Sequence, residues 1–343
     1  MGRSEGMRGL VFAVAGLLLA GACSEASTDQ STSTTSSATT SSTTTSSTTT
    51  SSTTTTTLVT DTGPFAYDVA APLDVTERPL TPPAFATFTH VTYRSFDGEV
   101  VPASFLVPRF VTGPVPCVVV GHGLGGTKEI AIALYGEMLV RAGYAVFAID
   151  ARFHGERMSP ATADLSRDPQ LVRSLFQDTV VDLRRGIDYL EQQPACTPGG
   201  VGLIGISMGG FHGALLAGTD TRVEAPILLF SGADWRTWLS TARRELSAVL
   251  VSPDDPAALD TLVSVIDPID PARWVGNITP RPVLMVNGDA DDIVPPAAAG
   301  ALYAAAREPK TALSYQGGHS PEPAEDIRVR EAMLDWLAES FPA

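Results

Sequence analysis

Gly205-Ile206-Ser207-Met208-Gly209 is the segment whose residue types and spacing most clearly carry chemistry. A serine stands between glycines two positions to either side. The apolar run Val201-Gly202-Leu203-Ile204 precedes it and a helical stretch over 211–217 follows. A sharp strand-to-helix turn needs small flanking residues and projects its central side chain outward. Serine is a weak nucleophile until a base takes its proton. Five histidines are available. His90 sits in an early hairpin, His122 precedes Gly123, His154 follows a strand, and His212 lies inside the helix after the serine. His319, in Gly317-Gly318-His319-Ser320, combines a late loop position with glycines that let a ring reach over a sheet edge. An acid must orient such a base. Asp289, Asp291 and Asp292 follow the apolar run 283–286, and each fits that place. The chemistry implied is nucleophilic attack on a carbonyl carbon through a covalent intermediate.

These residues need a frame. Alternating segments at 88–94 and 100–107 flank Asp97-Gly98, a hairpin signal. Short apolar runs at 117–121, 144–149, 201–206, 227–230, 283–286 and 312–315 read as strands. Helical stretches at 130–141, 171–193, 211–217, 302–307 and 327–341 alternate with them. That alternation predicts an α/β domain: a mostly parallel central sheet with helices on both faces, and a site at the carboxyl ends of the strands. Residues 233–280 are too long for a plain loop, and are expected to form a small helical cap insertion over the active edge. Trp235 and Trp238, at helical spacing, either line a substrate pocket there or pack the cap onto the body.

With these motifs in this order, residues 86–341 resemble the α/β-hydrolase superfamily, and its esterase, dienelactone-hydrolase and prolyl-oligopeptidase-like branches. The resemblance implies roles residue by residue. Gly288-Asp289-Ala290-Asp291-Asp292-Ile293-Val294-Pro295 is similar to the family's acid loop and picks Asp291. His122-Gly123-Leu124-Gly125-Gly126 resembles its oxyanion loop, so the backbone amides of Leu124 and Met208 would hold the developing charge. Asp150-Ala151-Arg152-Phe153-His154-Gly155-Glu156-Arg157 resembles a structural stretch that holds these loops. The family's strand order would make the strands after Cys117 and Cys196 neighbours. A disulfide there would be structural, at the end opposite the site; two buried free thiols are the expectation.

The N-terminus reads differently. Residues 1–22 look like a signal peptide: Arg3 and Arg8, then an uncharged apolar stretch over 10–22, too short to span a bilayer. Leu19-Ala20-Gly21-Ala22-Cys23 resembles a bacterial lipoprotein box, with Cys23 as the lipidated residue. Residues 23–57 are expected to be a disordered stalk. From 27 to 57 only Asp29, Gln30 and Ala38 are neither Ser nor Thr, too little apolar surface to build a core. The hydrolase domain is then 58–343. Removing the signal leaves an acidic chain, placed outside the cytoplasm and anchored to the cell envelope by lipid; the alternative is an ordinary cleaved signal and a secreted protein.

Composition excludes other classes. The 343 residues carry a net charge of −15, against the basic stripe a nucleic-acid binder needs. The only membrane contact expected is the N-terminal lipid. Three cysteines, no H-E-x-x-H and no close histidine pair give no metal site, and no cofactor is needed. Gly121-His122-Gly123-Leu124-Gly125-Gly126 with Asp150 mimics a dinucleotide fingerprint. Two strands precede it, however, and that reading leaves the serine turn without a purpose. The expected protein is an exported serine hydrolase acting on a small-molecule carboxylic ester. A prolyl-oligopeptidase-like peptidase and a non-catalytic binding module on the same fold are the alternatives.

Overall fold

The computed structural model describes residues 62–160, 164–252 and 255–341. The expectations for the signal at 1–22, for Cys23 and for the stalk at 23–57 lie outside the described residues.

Among the described residues nine strands form one sheet, in the order β1-β2-β3-β5-β4-β6-β7-β8-β9. β1 (Thr76–Pro79), β2 (Ala86–Arg94) and β3 (Val100–Pro108) are antiparallel, and β3 pairs antiparallel with β5 (Ala145–Ile149). From β5 onward the pairing is parallel through β4 (Val115–Gly121), β6 (Cys196–Ile206), β7 (Val223–Leu229), β8 (Val283–Gly288) and β9 (Lys310–Tyr315). The central strands are apolar runs because helices cover both faces. Every residue of β5, Ala-Val-Phe-Ala-Ile, is buried. The edge strand β1 had no counterpart in the sequence reading. All four of its residues are exposed, so no burial alternation marks it.

Helices pack on each face. α1 (Lys128–Ala131) runs through a π turn at Ile132–Gly136 into α2 (Glu137–Arg141). α3 (Pro169–Leu190) starts at Asp168, whose carboxylate accepts from the Gln170 amide, with Pro169 at the first helical position, where its missing N–H costs nothing. α4 (Met208–Thr219) follows Ser207 directly. Between β7 and β8 come α5 (Trp235–Thr241), α6 (Arg244–Leu250), α7 (Ala258–Ile266) and α8 (Pro271–Trp274). α9 (Pro296–Ala305) follows β8 and α10 (Pro323–Ser340) follows β9. One apolar layer gathers α3, α4 and the inserted helices. The other gathers α2 and α10 on the opposite face.

The insertion is helical, as expected, but not all of it is a cap. α8 packs on α4, where Gly218 lies against the Trp274 backbone, and α7 packs on α3. Among the described residues of the insertion, only those of α5 and α6 reach the site.

The chain leaves β4 toward β5 on one side and returns to β6 on the other. The strand order therefore reverses beside β4, and a crevice opens at the carboxyl ends of β4 and β6. The loop after β4 and the turn after β6 meet there. At the opposite ends of the same strands, Cys117 and Cys196 form a disulfide. This corrects the expectation of two free thiols. Val115 pairs with Cys196, and Cys117 with Val201, so the neighbouring strands bring the sulfurs together.

Replacing both cysteines with alanine should lower stability by about 2–4 kcal/mol, because the crosslink restricts the unfolded chain. Denaturant unfolding of both forms measures it. Thiol titration of the unfolded, unreduced protein should find neither Cys117 nor Cys196 reactive.

Candidate active site

Ser207 occupies the turn between β6 and α4 with φ 54° and ψ −115°, a backbone conformation that L-residues rarely adopt. The turn is held from both sides. The Ser207 amide donates to Leu229 O at 2.8 Å, and Gly210 N donates to Ser207 O at 2.7 Å. Its tightness depends on the flanking glycines. A methyl on Gly205 would collide with the Gly209 carbonyl, and one on Gly209 with the Gly121 carbonyl at the end of β4.

His319 Nε2 lies 2.9 Å from Ser207 Oγ, and His319 Nδ1 lies 2.8 Å from Asp291 Oδ2. With Nδ1–H donating to the carboxylate, Nε2 is left to accept the serine proton. Of the three aspartates open to the sequence, the structure brings Asp291 to the ring. Its carboxylate is buried, and its other oxygen accepts from the amides of Ile293 and Val294 at 2.8 and 2.9 Å. Asp289 accepts from Gly317 N at 3.0 Å instead, and Asp292 faces Arg243.

A second set of contacts, not foreseen from the sequence, joins the acid loop to the histidine loop. Asp289 N donates to Tyr315 O, Ala290 N donates to Gly317 O, and the Tyr315 hydroxyl donates to Gly318 O at 2.9 Å. Gly288 sits so close to the Gly318 carbonyl that a side chain would collide with it. The paired glycines at 317 and 318 were the one visible sign of this packing. Phe230 (φ 55°) presents its ring to His319 at 5.7 Å between centroids.

The Met208 amide is the first of α4, and such amides have no intrahelical acceptor. Among the described residues, neither it nor the Leu124 amide has a hydrogen-bond partner. Leu124 and Met208 both border the cavity beside Ser207. His122 positions the Leu124 loop. Its Nε2 accepts from the Ala151 amide at 3.0 Å, so Nδ1 carries the proton and donates to Gly123 O at 2.8 Å. Asp150, fully buried, holds the start of α1 through Lys128 N and Nζ and also accepts from Glu156 N. Arg152 and Arg157 pair with the buried Asp182 of α3. The stretch is thus tied to the start of α1 through Asp150 and to α3 through Arg152 and Arg157.

Both tryptophans pack on Phe211 of the body, and Trp238 also lines the cavity. Trp235 packs the cap: it stacks on Phe211 at 5.3 Å and donates to Ile266 O. Trp238 lines the cavity, and its indole N–H donates to Ile293 O at 2.9 Å. The remaining wall is Phe176, Leu246, Leu250 and Ile293. No group of His, Cys, Asp and Glu among the described residues is arranged to hold a metal ion.

The sheet order, the turn after β6 and the helices on both faces define an α/β-hydrolase fold. Residues 102–262 match the model of the Dienelactone hydrolase family. That stretch includes Leu124, Ser207 and Met208, and ends before Asp291 and His319. YtaP of Bacillus subtilis (strain 168), a hydrolase by name, is 26% identical over 156 residues, 42% of this chain and 52% of its own. The chain spans about half the length of the curated relatives it matches. Among solved structures, acetyl xylan esterase 1 from Thermoanaerobacterium is similar with a TM-score of 0.61 at 19% identity, covering 78% of this chain and 89% of that one. The acylaminoacyl peptidase of Pyrococcus horikoshii is similar with a TM-score of 0.58 at 16% identity, covering 77% and 45%. At these identities the likeness is one of fold.

Three histidines around the site are buried: His122, His154 and His212. Burial pushes His154 down to about 4 and His212 down to about 3, and lowers His122 as well. An unfolded histidine titrates near 6.5. Between that value and the folded one, the unfolded chain binds more protons than the native one. Stability should therefore be level above about pH 6.5 and fall as pH drops from there toward 4, by about 1.4 kcal/mol per pH unit for each such histidine. Urea unfolding at pH 7 and pH 5 checks this, and His212→Gln should give a shallower dependence.

Proposed function

We propose that this chain is a serine hydrolase that cleaves carboxylic esters through an acyl-enzyme. The observation that carries the reading is the continuous line from Ser207 Oγ through His319 to Asp291, at 2.9 and 2.8 Å, on a strained turn. Ser207 Oγ attacks the ester carbonyl carbon while His319 Nε2 takes its proton. Asp291 fixes the ring and stabilises the imidazolium that forms. The Leu124 and Met208 amides donate to the oxyanion, and each such donor contributes about 10²–10³ in rate. His319 returns the proton to the leaving alcohol. Water, deprotonated by the same ring, then attacks the acyl carbon and releases Ser207.

Esters are favoured over peptides by the cavity wall. Ser207 apart, the one polar side-chain group there among the described residues is the Trp238 indole, whose N–H is already given to Ile293 O. A peptide backbone would find no side-chain partner on that side. The Cys117–Cys196 disulfide suits an oxidising compartment. It supports a domain held outside the cytoplasm, as the signal-like N-terminus and Cys23 suggest.

Fluorophosphonate labelling with mass-spectrometric mapping tests the reading. The adduct should fall on Ser207 and be lost in His319→Ala. Asp291→Asn should keep the fold and lower kcat on p-nitrophenyl acetate by about 10⁴-fold, because the ring loses its orienting anion. Folded protein that stays unlabelled and cleaves no ester would move the non-catalytic binding module to the front.

A further inference from the structure

We propose that the site is built for a two-carbon acyl group, and that Leu246 and Leu250 of α6 set this limit. The inference rests on the serine-hydrolase reading and deepens it. The cavity beside Ser207 measures about 10 Å³, room for roughly one water-sized group. A methyl is about that size. Leu246 and Leu250 line it from α6 of the cap, with Trp238 of α5 and Phe176 of α3 beside them. All four are buried or nearly so, with Leu246 4% and Leu250 3% exposed. The cavity is therefore a blind end rather than a passage.

A blind end suits the acyl side of an ester. The alcohol must leave before water can attack, and it has no exit through this wall. The acyl group stays on Ser207 throughout, next to the Leu124 and Met208 amides that border the same cavity. The group held there must be uncharged, since no charged side chain among the described residues lines the cavity.

The wall is tied down. The Arg243 amide, just ahead of α6, donates to Asp292 O at 2.7 Å, and Trp238 on α5 donates to Ile293 O at 2.9 Å. Both acceptors belong to the loop that carries Asp291, so the cap wall and the acid share one anchor. A longer acyl chain must displace Leu246 or Leu250 from a helix whose start is fixed to that loop.

The test is kcat/KM on p-nitrophenyl acetate, butyrate and hexanoate for the wild type, Leu246→Ala and Leu250→Ala. The wild type should lose at least about 100-fold from acetate to hexanoate, given that one methylene in a tight apolar pocket is worth about 10–200-fold. Each alanine variant should raise the hexanoate-to-acetate ratio at least about tenfold. Varying the alcohol at constant acetate, from ethyl to benzyl, should move kcat/KM far less than varying the acyl chain. A wild type that cleaves hexanoate as fast as acetate overturns the proposal, as do folded variants with an unchanged ratio. If circular dichroism shows that the alanine variants do not fold, Leu250→Val and the wild-type chain-length profile decide. Labelling at Ser207 with a preference for long chains would overturn this limit and leave the serine-hydrolase reading standing. No labelling and no ester cleavage would overturn both.

Discussion

The site depends on backbone touching backbone where β4 and β6 end. Gly209, in the first turn of α4, lies so close to the Gly121 carbonyl that no side chain fits between them. This contact lets α4 start directly over the end of its own strand and forces Ser207 into its positive φ. Such a conformation costs about 1–3 kcal/mol and persists only where its surroundings impose it. Here they are the Leu229 carbonyl that accepts the Ser207 amide and the packed glycines on either side. The same closeness puts Gly123 against the serine side chain, so the loop after β4 and the turn after β6 form one surface.

The other half of the site is assembled at the far edge of the sheet. β8 and β9 each end in a loop, and the two loops are bonded to each other through Asp289, Ala290, Tyr315 and Gly317. His319 is therefore positioned by what holds Asp291 as well as by Asp291 itself. The cap bonds to this unit through Arg243 and Trp238. The cavity wall, Asp291 and His319 thus share one support.

Much of this was legible in the sequence because the turn chemistry is local. The glycines at 205 and 209 with an apolar run before them mark the serine turn, and the glycines at 317 and 318 mark the histidine loop. Alternating strands and helices give the layer order for the same reason. What the sequence left open depends on distant partners. Asp289, Asp291 and Asp292 are alike in type, and only the loop's path separates the one facing His319 from the one holding Gly317. Trp235 and Trp238 sit three residues apart on one helix and both pack on Phe211, yet Trp238 alone of the two borders the cavity. The cysteine pairing follows from a register between β4 and β6 that no local pattern encodes. β1 is a strand only because β2 offers its free edge.

That register has a geometric consequence. Sliding β4 past β6 by one residue would move their ends apart by about 3.3 Å, more than a hydrogen bond's length. The loop bearing the Leu124 amide would then part from Ser207. Cys117 and Cys196 rivet the two strands where they begin, and the glycine contact wedges them where they finish. The pair behaves like a caliper locked at both ends: the spacing it holds is the spacing between an amide on one jaw and a hydroxyl on the other.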